Sequence, residues 1–453
     1  TNTRDMIVQY RNHCSIILWG VRINESPDDD DLYLKTNQLA HKLDKTRPTG
    51  GVRNIKKSSF LEDVYTYNDF SHDGKTKGCE EKKKITSDMD KPYLVCEYNG
   101  HMFPTKAFDS EKHRQEHAIR HANVLNAINE QEDIAGSFGW CMFDYNTHMD
   151  FGSGDRICYH GVMDMFRNPK LAAHIYASQS DERDILSITS SMDIGEHPAS
   201  NRGHVYIITN ADSVRMYRND QFIKEYRKED STFKYLEHGP ILIDDYIGDL
   251  ILDNEDFKST QAREIKETLN AAALYGVDNL PTKIKLKLAK LMGVNGLDYS
   301  KAVELYTKYI GDWGASSRSY RFEAIKDGKV VKTVTKAPMQ KVSLSVSLDH
   351  SDLVEKNTYD VALVRIKAVD ENKNLLPYYN EPLLLETEGP LEIIGPKIIS
   401  LKGGMGGTLI KTIGKSGDGR LKISGYSIED ILLDFSVKVD YNRIDKVIKV
   451  SIL

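Results

Sequence analysis

The first 175 residues alternate between apolar runs and amphipathic stretches. The runs at Ser15 to Trp19 and Tyr93 to Cys96 are almost continuously apolar, which predicts strands buried on both faces. A third run, Ile134 to Phe143, predicts another strand, and a helical pattern from about Ser110 to Gln131 precedes it. Strands that alternate with helices in this way predict a parallel α/β sheet.

Weaker signals fill the interval between the first two runs. Arg47 to Val52 and Asp63 to Tyr67 are short strand candidates. Ser26 suits the N-cap of the helix that follows and Pro27 its first position, while Asp28 to Asp31 suit the positive helix end. The alternative of a calcium loop is disfavoured, because the run lacks the alternating ligands, glycine and closing glutamate of such a loop.

From about Ile185 the pattern changes to short strands joined by polar turns, which is typical of antiparallel sandwiches. The strand candidates are Val205 to Thr209, Ser213 to Tyr217, Gln221 to Ile223, Tyr320 to Ile325 and Val330 to Val334. A helical block at about 259–311 interrupts them, and a second all-β unit begins near Asn357. We therefore predict a β-sandwich with a helical insertion over residues 179–350, and a C-terminal β-sandwich over residues 351–453.

Composition excludes several classes of protein. The chain has 453 residues, of which 40% are hydrophobic and 28% charged, so it is expected to fold as a multidomain globular protein. A net charge of -6 argues against a protein held on nucleic-acid phosphates. We expect no membrane span, because no apolar run reaches about 18 residues. The five cysteines form no C-x-x-C pair, so we expect reduced, mostly buried thiols rather than a disulfide framework.

Two glutamates lie where chemistry is expected in a parallel sheet. Glu25 follows the first buried strand, and Glu97 ends another in Cys96-Glu97-Tyr98. A lone glutamate after a strand is usually a cap or a surface residue, but the carboxyl ends of parallel strands converge on one face. Paired carboxylates on either side of a bond are what glycoside hydrolysis requires. Spacing alone leaves this interpretation open beside the structural one.

The residues around both glutamates resemble glycoside hydrolase family 2, the family of β-galactosidases, β-glucuronidases and β-mannosidases. Arg11 to Trp19 followed by Asn24-Glu25 resembles its acid/base signature, and Pro92 to Tyr98 is similar to its nucleophile segment, especially in β-galactosidases. Gly139 to His148 resembles its eighth barrel strand. The resemblance implies that residues 1–178 are the C-terminal part of a (β/α)8 TIM barrel, followed by two immunoglobulin-like β-sandwiches, the first with the helical insertion.

The resemblance also implies roles for single residues in a retaining hydrolase of terminal β-glycosides, with β-galactosides as the first choice. Glu97 would be the nucleophile and Glu25 the acid/base. Tyr67 would keep Glu97 ionised, with a core aromatic as the alternative interpretation. The implied substrate-binding residues are Asn24, Tyr67, Asn68, His101 and Phe143. His101 follows the nucleophile by four residues, where the family pattern has three, and Trp140 is interpreted as a core residue.

No motif predicts a metal or an organic cofactor. His113, His117 and His121 have the spacing of metal ligands on one helix face, but neither a fourth ligand nor an acidic partner is evident. The glycine-rich run Gly403 to Gly407 lacks the lysine and the strand–loop–helix context of a phosphate-binding loop, so it is interpreted as a turn. We therefore expect a carbohydrate substrate, with neither metal nor cofactor.

The alternative function belongs to another class. The resemblance starts just before barrel strand 4, so we expect strands 1 to 3 to come from an N-terminal half. A five-stranded open barrel would leave two unpaired edges, which promote association with other chains. The alternative is thus a catalytically incomplete carbohydrate-binding or assembly fragment, whose partner is that N-terminal half or a second copy of the chain.

Overall fold

A computed structural model describes residues 1–197, 201–294, 296–311 and 318–440. The last residues of the predicted unit 351–453 therefore lie outside the described part. Within the described ranges, none of the helices combines the length and the apolar character needed to cross a bilayer.

Residues 1–178 contain short strands that alternate with helices. The helices are α1 (Asn2–Tyr10), α2 (Asp30–Leu43), α3 (Lys82–Ile85), α4 (Glu111–Asn129) and α5 (Leu171–Ala177). The strands are β1 (Trp19–Gly20), β2 (Thr49–Gly50), β3 (Tyr65–Asn68), β4 (Tyr93–Glu97), β5 (Gly136–Ser137), β6 (Tyr145–Asn146) and β7 (Ile157–Cys158). Parallel pairs join β1 to β2 and β3 to β4 to β5, and a parallel bridge between Arg53 and Tyr67 links the two groups. The result is a layer of five parallel strands in chain order, as the sequence predicts.

Helix α4 shows why the sequence pattern was informative here. The Ser110 hydroxyl accepts a hydrogen bond from the His113 backbone N–H at 3.4 Å, which caps the first turn. Along the helix, Val124 and Ile128 are buried in one apolar cluster with side chains of β3 and β4. The prediction of a helix from about Ser110 to Gln131 is confirmed, because both its cap and its apolar face are encoded locally.

Two predicted boundaries are wrong. The strand predicted at Ser15 to Trp19 is reduced to β1, and Ile17 is 74% exposed. Strand β1 pairs with β2 on one side, and the described residues provide no strand on its other side, so this apolar run is not enclosed. The run predicted at Ile134 to Phe143 likewise forms a strand only at β5.

Helix α2 begins later than its sequence suggests. Its N-cap is Asp29, whose carboxylate accepts from the Leu32 N–H at 3.0 Å. The hydroxyl of Ser26, the predicted cap, instead donates to the Ile23 carbonyl at 2.9 Å. The Asp28 carboxylate forms an ion pair with Arg22 at 2.6 Å and therefore does not cap the helix. A serine followed by four aspartates offers several possible caps, and tertiary contacts choose among them.

The middle unit contains two sheets with helices between its strands. Its strands are β8 (Leu186–Ile188), β9 (Tyr206–Thr209), β10 (Ser213–Arg218), β11 (Gln221–Arg227), β12 (Ile241–Leu242), β13 (Tyr320–Lys326) and β14 (Lys329–Lys336). Its helices are α6 (Leu250–Asn254), α7 (Ser259–Tyr275), α8 (Thr282–Gly293) and α9 (Tyr299–Tyr309). The sheets have the orders β12-β9-β8 and β11-β10-β13-β14, and both contribute to one core with α7, α8 and α9.

The C-terminal unit is a pair of sheets that share one core. Its strands are β15 (Ser343–Leu348), β16 (Asp352–Glu355), β17 (Val361–Val369), β18 (Pro382–Glu388), β19 (Leu391–Ile394), β20 (Ile398–Ser400), β21 (Met405–Thr412), β22 (Gly417–Gly425) and β23 (Ile428–Val439). The sheet orders are β15-β17-β21-β19 and β16-β23-β22-β18-β20. Because β15 pairs with β17, this sheet begins before the predicted boundary at residue 350, which is a correction to that boundary. The immunoglobulin-like topology of both units stays a prediction.

The C-terminal unit packs directly on the first unit. The Asn168 side-chain amide donates to the Gly406 carbonyl at 3.0 Å, and Lys402 forms an ion pair with Asp155 at 2.8 Å. Gly403 has a φ of 68° and lies so close to Ala107 that a Cβ there would clash with it. Gly403 and Gly404 therefore form a tight turn at a contact between units, whereas Met405 to Gly407 begin β21, so the interpretation of the run as a turn holds for its first two residues only.

Candidate active site

The ends of three neighbouring strands bring the predicted site residues together. Asn68 is the last residue of β3 and Glu97 the last of β4, and the two are partners in the parallel register. Glu25 lies in the loop after β1, where its backbone N–H donates to the Val52 carbonyl at 3.0 Å. Val52 itself follows β2, so consecutive strand ends converge on one edge of the layer, as expected for a parallel sheet.

The side-chain amide of Asn68 lies between the two carboxylates. Its Nδ2 is 2.9 Å from Glu25 Oε1 and 3.0 Å from Glu97 Oε2, so one N–H is available for each acid. Those two oxygens are therefore no farther apart than the sum of these distances, about 5.9 Å. Asn24 is exposed beside them, with its Oδ1 3.5 Å from the same nitrogen.

Two neighbours, the half-buried Cys96 and the buried Arg53, fix the orientation of Asn68. The Cys96 thiol donates to the Asn68 Oδ1 at 3.2 Å, which directs the amide nitrogen toward the acids. Burial raises the pKa of Cys96 to about 12, so the thiol keeps its proton and remains a donor. The Asn68 backbone N–H donates to the Arg53 carbonyl at 2.6 Å, and the Arg53 side chain is buried in an ion pair with Glu62. Sequence reasoning missed Cys96 and Arg53, because a lone cysteine or arginine carries no spacing signal.

The surroundings of Glu97, including the neighbouring Glu25, shift the pKa of the Glu97 carboxyl group. Burial raises the pKa of Glu97 above its ordinary value, and the negative charge of Glu25 acts in the same direction. The hydrogen bond from Asn68 lowers the pKa of Glu97 and so opposes both effects. The ionised form of Glu97 therefore depends on Asn68.

Replacement of Asn68 by alanine is expected to move the acidic limb of the kcat/KM profile to higher pH. Without the amide donor the Glu97 anion loses stabilisation, so its pKa rises further and more alkaline conditions are needed to ionise it. The loss of a hydrogen bond to a charged group should also lower kcat/KM by roughly 10- to 100-fold. The test is the pH–rate profile with an aryl β-galactoside. Asn357→Ala, at an exposed position of the C-terminal unit, is the control, and an unmoved acidic limb in Asn68→Ala would contradict this role.

Glu25 has an unusual backbone conformation. Its φ is 53°, in the left-handed region that residues other than glycine rarely adopt. Such a conformation costs on the order of 1 kcal/mol, and it persists only where surrounding contacts impose it. At Glu25 the hydrogen bond to the Val52 carbonyl is one of these contacts. Backbone strain of this kind clusters at functional sites, which favours a specific purpose for this carboxylate.

The remaining predicted residues differ in how close they lie to the acids. His101 is exposed on the turn after β4, and its ring contacts Phe70 edge-on at 4.9 Å, so it lies near the same edge as Asn68 and Glu97. Tyr67 is buried in the apolar cluster of β3, β4 and α4, and burial raises its pKa to about 12. Among the described residues, Asn68 rather than Tyr67 provides the side-chain hydrogen bond to Glu97. The core alternative for Tyr67 is thus the one that the geometry favours.

Phe143 and Trp140 lie in different surroundings. Phe143 is half-buried with the Arg167 guanidinium 4.3 Å above its ring, and the described contacts do not join it to either acid. Trp140 is 42% exposed, so its interpretation as a core residue is wrong. Its backbone N–H donates to the Tyr98 carbonyl at 3.0 Å, so the Trp140 backbone lies beside the residue that follows Glu97. A large apolar residue exposed in this way was not distinguishable from a core residue by pattern alone.

The histidine stripe of α4 is used in packing and hydrogen bonding. The His113 ring stacks on Phe103 with 4.1 Å between centroids, and His121 Nδ1 is 2.8 Å from the Tyr176 hydroxyl. In the part of the chain that the structure describes, no cluster of three histidine, cysteine, aspartate or glutamate side chains could hold a metal ion. The absence of a metal stays a prediction.

All five cysteines are free, as predicted, but only Cys158 is fully buried. Cys14 is exposed and the other three are half-buried, so the prediction of mostly buried thiols is wrong in its detail.

Comparison with known sequences identifies relatives over most of the chain. A sequence model described as "Glycosyl hydrolases family 2, TIM barrel domain" matches residues 2–184. The chain is 38% identical over 408 residues to a β-galactosidase of Thermoanaerobacterium thermosulfurigenes, with 89% of this chain and 49% of the relative covered. It is 34% identical over 433 residues to a β-galactosidase of Thermoanaerobacter pseudethanolicus, with 95% and 49% covered. The chain thus spans about half the length of the curated relatives it matches.

Solved structures agree at the level of the fold. A β-glycosidase from Bacteroides vulgatus matches 96% of this chain and 52% of its own with a TM-score of 0.61 at 17% identity. A β-glucuronidase of glycoside hydrolase family 2 matches 97% of this chain and 40% of its own, with the same TM-score at 15% identity. The sequence matches and this shared architecture lead to one conclusion: residues 2–184 belong to the TIM barrel domain of glycoside hydrolase family 2, and the chain is similar to β-galactosidases over most of its length.

Proposed function

We propose that the chain provides both catalytic carboxylates of a retaining β-glycosidase, with β-galactosides as its substrates. The observation that carries the proposal is the amide of Asn68, which contacts one oxygen of Glu25 and one of Glu97. Retaining enzymes hold their two carboxyl groups about 5 to 5.5 Å apart, whereas inverting enzymes need roughly 6.5 to 9.5 Å to admit a water molecule. The upper limit of about 5.9 Å between the two bridged oxygens supports the retaining class.

The proposed reaction has two displacements. In the first, a Glu97 oxygen bonds to the anomeric carbon while the glycosidic carbon–oxygen bond breaks and Glu25 gives its proton to the leaving oxygen. In the second, Glu25 removes a proton from water, the water oxygen bonds to the anomeric carbon, and the bond to Glu97 breaks. Because Glu25 gives up its proton in the first displacement, it is a carboxylate in the second and can act as the general base.

Two observations support a β-galactoside as the substrate. The two relatives described above, which are 38% and 34% identical to this chain, are both β-galactosidases by name. The exposed indole of Trp140, whose backbone N–H donates to the carbonyl of Tyr98, the residue after Glu97, offers an apolar face against which the carbon–hydrogen face of a sugar ring can pack. Asn24 and His101 are exposed near the same edge, and we assign them to contacts with sugar hydroxyls.

Hydrolysis of an aryl β-galactoside should give the β-anomer of galactose as its first product. Double displacement inverts the anomeric carbon twice, so the substrate configuration is retained. Proton NMR in the first minutes, before mutarotation, measures the anomer directly. The α-anomer as first product would contradict the retaining mechanism. Faster turnover of aryl β-glucuronides or β-mannosides would keep the mechanism and change only the sugar.

The alternative function, an assembly or binding fragment, is supported by a different observation. Strands β1 and β5 form the outer edges of the parallel layer, and Ile17 and Phe138 beside them are 74% and 60% exposed. Exposed apolar side chains at open sheet edges are typical of surfaces that other polypeptide covers. We infer that an N-terminal half or a second copy covers them. A monodisperse monomer with ordinary turnover in ultracentrifugation and assay would exclude this, whereas turnover only after addition of an N-terminal half would favour it.

A further inference from the structure

A cavity of about 410 Å³ lies where the three units of the chain meet. Helix α4 and the start of α5 form one wall, β8 and β14 form the second, and β17 with the turn after it forms the third. This volume lies within the range of small-molecule sites, and junctions between units are a common place for such sites. The lining does not include Glu25, Asn68 or Glu97, so this cavity is separate from the candidate active site.

The lining of this junction cavity is strongly basic. Its cationic side chains are Lys106, Arg114, Lys170, Lys332, Lys336, Lys367 and Lys373. Among the described lining residues Glu111 is the single acid, and its carboxylate already accepts from the Gln115 amide at 3.2 Å and from the Ser191 N–H at 2.8 Å. Lys170 is likewise committed, to Asp144 at 2.7 Å. The cavity therefore has an excess of positive charge that its own acid does not neutralise.

Two of these lysines are half-buried without a direct partner. Within the described residues, Lys336 and Lys367 form neither an ion pair nor a side-chain hydrogen bond. Burial lowers the pKa of Lys336 in spite of the opposing charges of Glu111, Asp370 and Asp193. Burial also lowers the pKa of Lys367. Partial removal of a cation from water without a partner is costly, and an anion bound beside these lysines would lower that cost.

A third polar group on the wall also lacks a partner. His117 is 3% exposed, and its Nδ1 has no hydrogen-bond partner within the described part of the chain. Burial lowers the pKa of His117 well below its ordinary value, so the ring is neutral and carries a proton on one nitrogen. A neutral imidazole with its proton on Nδ1 can donate to an anion in the cavity. Unpartnered buried polar groups are rare in native proteins and require an explanation.

We propose that the junction cavity binds a small phosphorylated anion, held by the ammonium groups of Lys336 and Lys367 and by the imidazole of His117. A phosphate group suits this site because several lysines surround it as separate point charges, together with the hydroxyl of Ser187. A carboxylate would favour the bidentate fork of an arginine. The Arg114 Nε already donates to the Asp109 carbonyl at 2.9 Å.

Calorimetric titration of the chain with sodium pyrophosphate, at constant ionic strength, should give saturable binding with one site per chain. The double variant Lys336→Met, Lys367→Met should weaken that binding at least about tenfold, which corresponds to about 1.4 kcal/mol. Lys415→Met, at an exposed lysine of the C-terminal unit, is the matched control and should bind like the wild type. A parallel titration with orthophosphate tests whether a single phosphate group is sufficient.

Thermal unfolding without anion provides a second readout that separates binding from folding. Removal of unpaired ammonium groups should leave the double variant at least as stable as the wild type. Pyrophosphate should then raise the Tm of the wild type and not that of the variant. Absence of saturable binding to the wild type, or equal binding to wild type and double variant, would overturn the proposal. If the double variant does not fold, the single variant Lys367→Gln decides in the same way.

Discussion

Replacement of Glu97 by glutamine is expected to lower kcat for an aryl β-galactoside on the order of 10⁴-fold or more. The amide has nearly the same shape as the carboxylate, but it cannot form the glycosyl ester through which the proposed reaction proceeds. The remaining environment should survive, because the Asn68 carboxamide can still donate to the side-chain oxygen at this position. Steady-state kinetics measure the loss, with the protein in its natural form, including any sequence that its gene joins to residues 1–453.

The matched control for this variant is Glu132→Gln, an exposed glutamate beyond α4 that makes the same chemical change away from the site. It should retain full turnover. A second check is covalent trapping: a 2-fluoro sugar with a good leaving group should label the wild type at Glu97 and leave Glu97→Gln unlabelled. Turnover of Glu97→Gln within tenfold of the wild type would remove Glu97 from the nucleophile role.

Replacement of Glu25 by alanine is expected to lower kcat by about 10²- to 10⁴-fold, the range for loss of a general acid/base. The loss should be largest for substrates with poor leaving groups, because these depend on protonation by Glu25. Sodium azide should restore part of the rate with an activated aryl β-galactoside, since azide attacks the glycosyl-enzyme without a general base. Kinetics with and without azide measure the rescue, and the glycosyl azide product can be identified by NMR.

Azide should not rescue Glu97→Gln, which lacks the residue that forms the intermediate. The two variants therefore separate the roles of two carboxylates that share one amide donor. Rescue of Glu97→Gln together with none of Glu25→Ala would exchange the assignments. If neither variant affected turnover, the proposed site itself would be wrong.

The sequence predicted those parts of the fold that local pattern encodes. Helix α4 was predictable because Ser110 caps it and its apolar positions recur on one face. The proximity of Glu25 and Glu97 was also predictable, since strand ends of a parallel layer converge on one edge. The exposure of the Trp140 side chain was not predictable, because a tryptophan in an apolar run can be either buried or exposed and the sequence pattern is the same in both cases.

Positioning contacts were the part that the sequence could not provide. The orientation of Asn68 depends on the thiol of Cys96 and on the backbone of Arg53, fifteen residues before Asn68 on a different strand end. Neither contact follows from spacing or periodicity, because each is created by strand register and burial. The junction cavity is a stronger example, since its lysines range from Lys106 to Lys373 along the chain and only tertiary packing brings them together.

The contact between the first and last units has a consequence for synthesis on the ribosome. Asn168 is translated 238 residues before its partner Gly406, and Asp155 is 247 residues before Lys402. At about 5 to 20 residues per second, roughly 10 to 50 seconds pass between the two members of each pair. During that interval the turn that contains Gly403 does not yet exist, so the surface around Ala107 is uncovered. Chains that terminate prematurely before residue 402 would be released with this surface exposed. We expect such chains to be bound by chaperones or degraded by proteases.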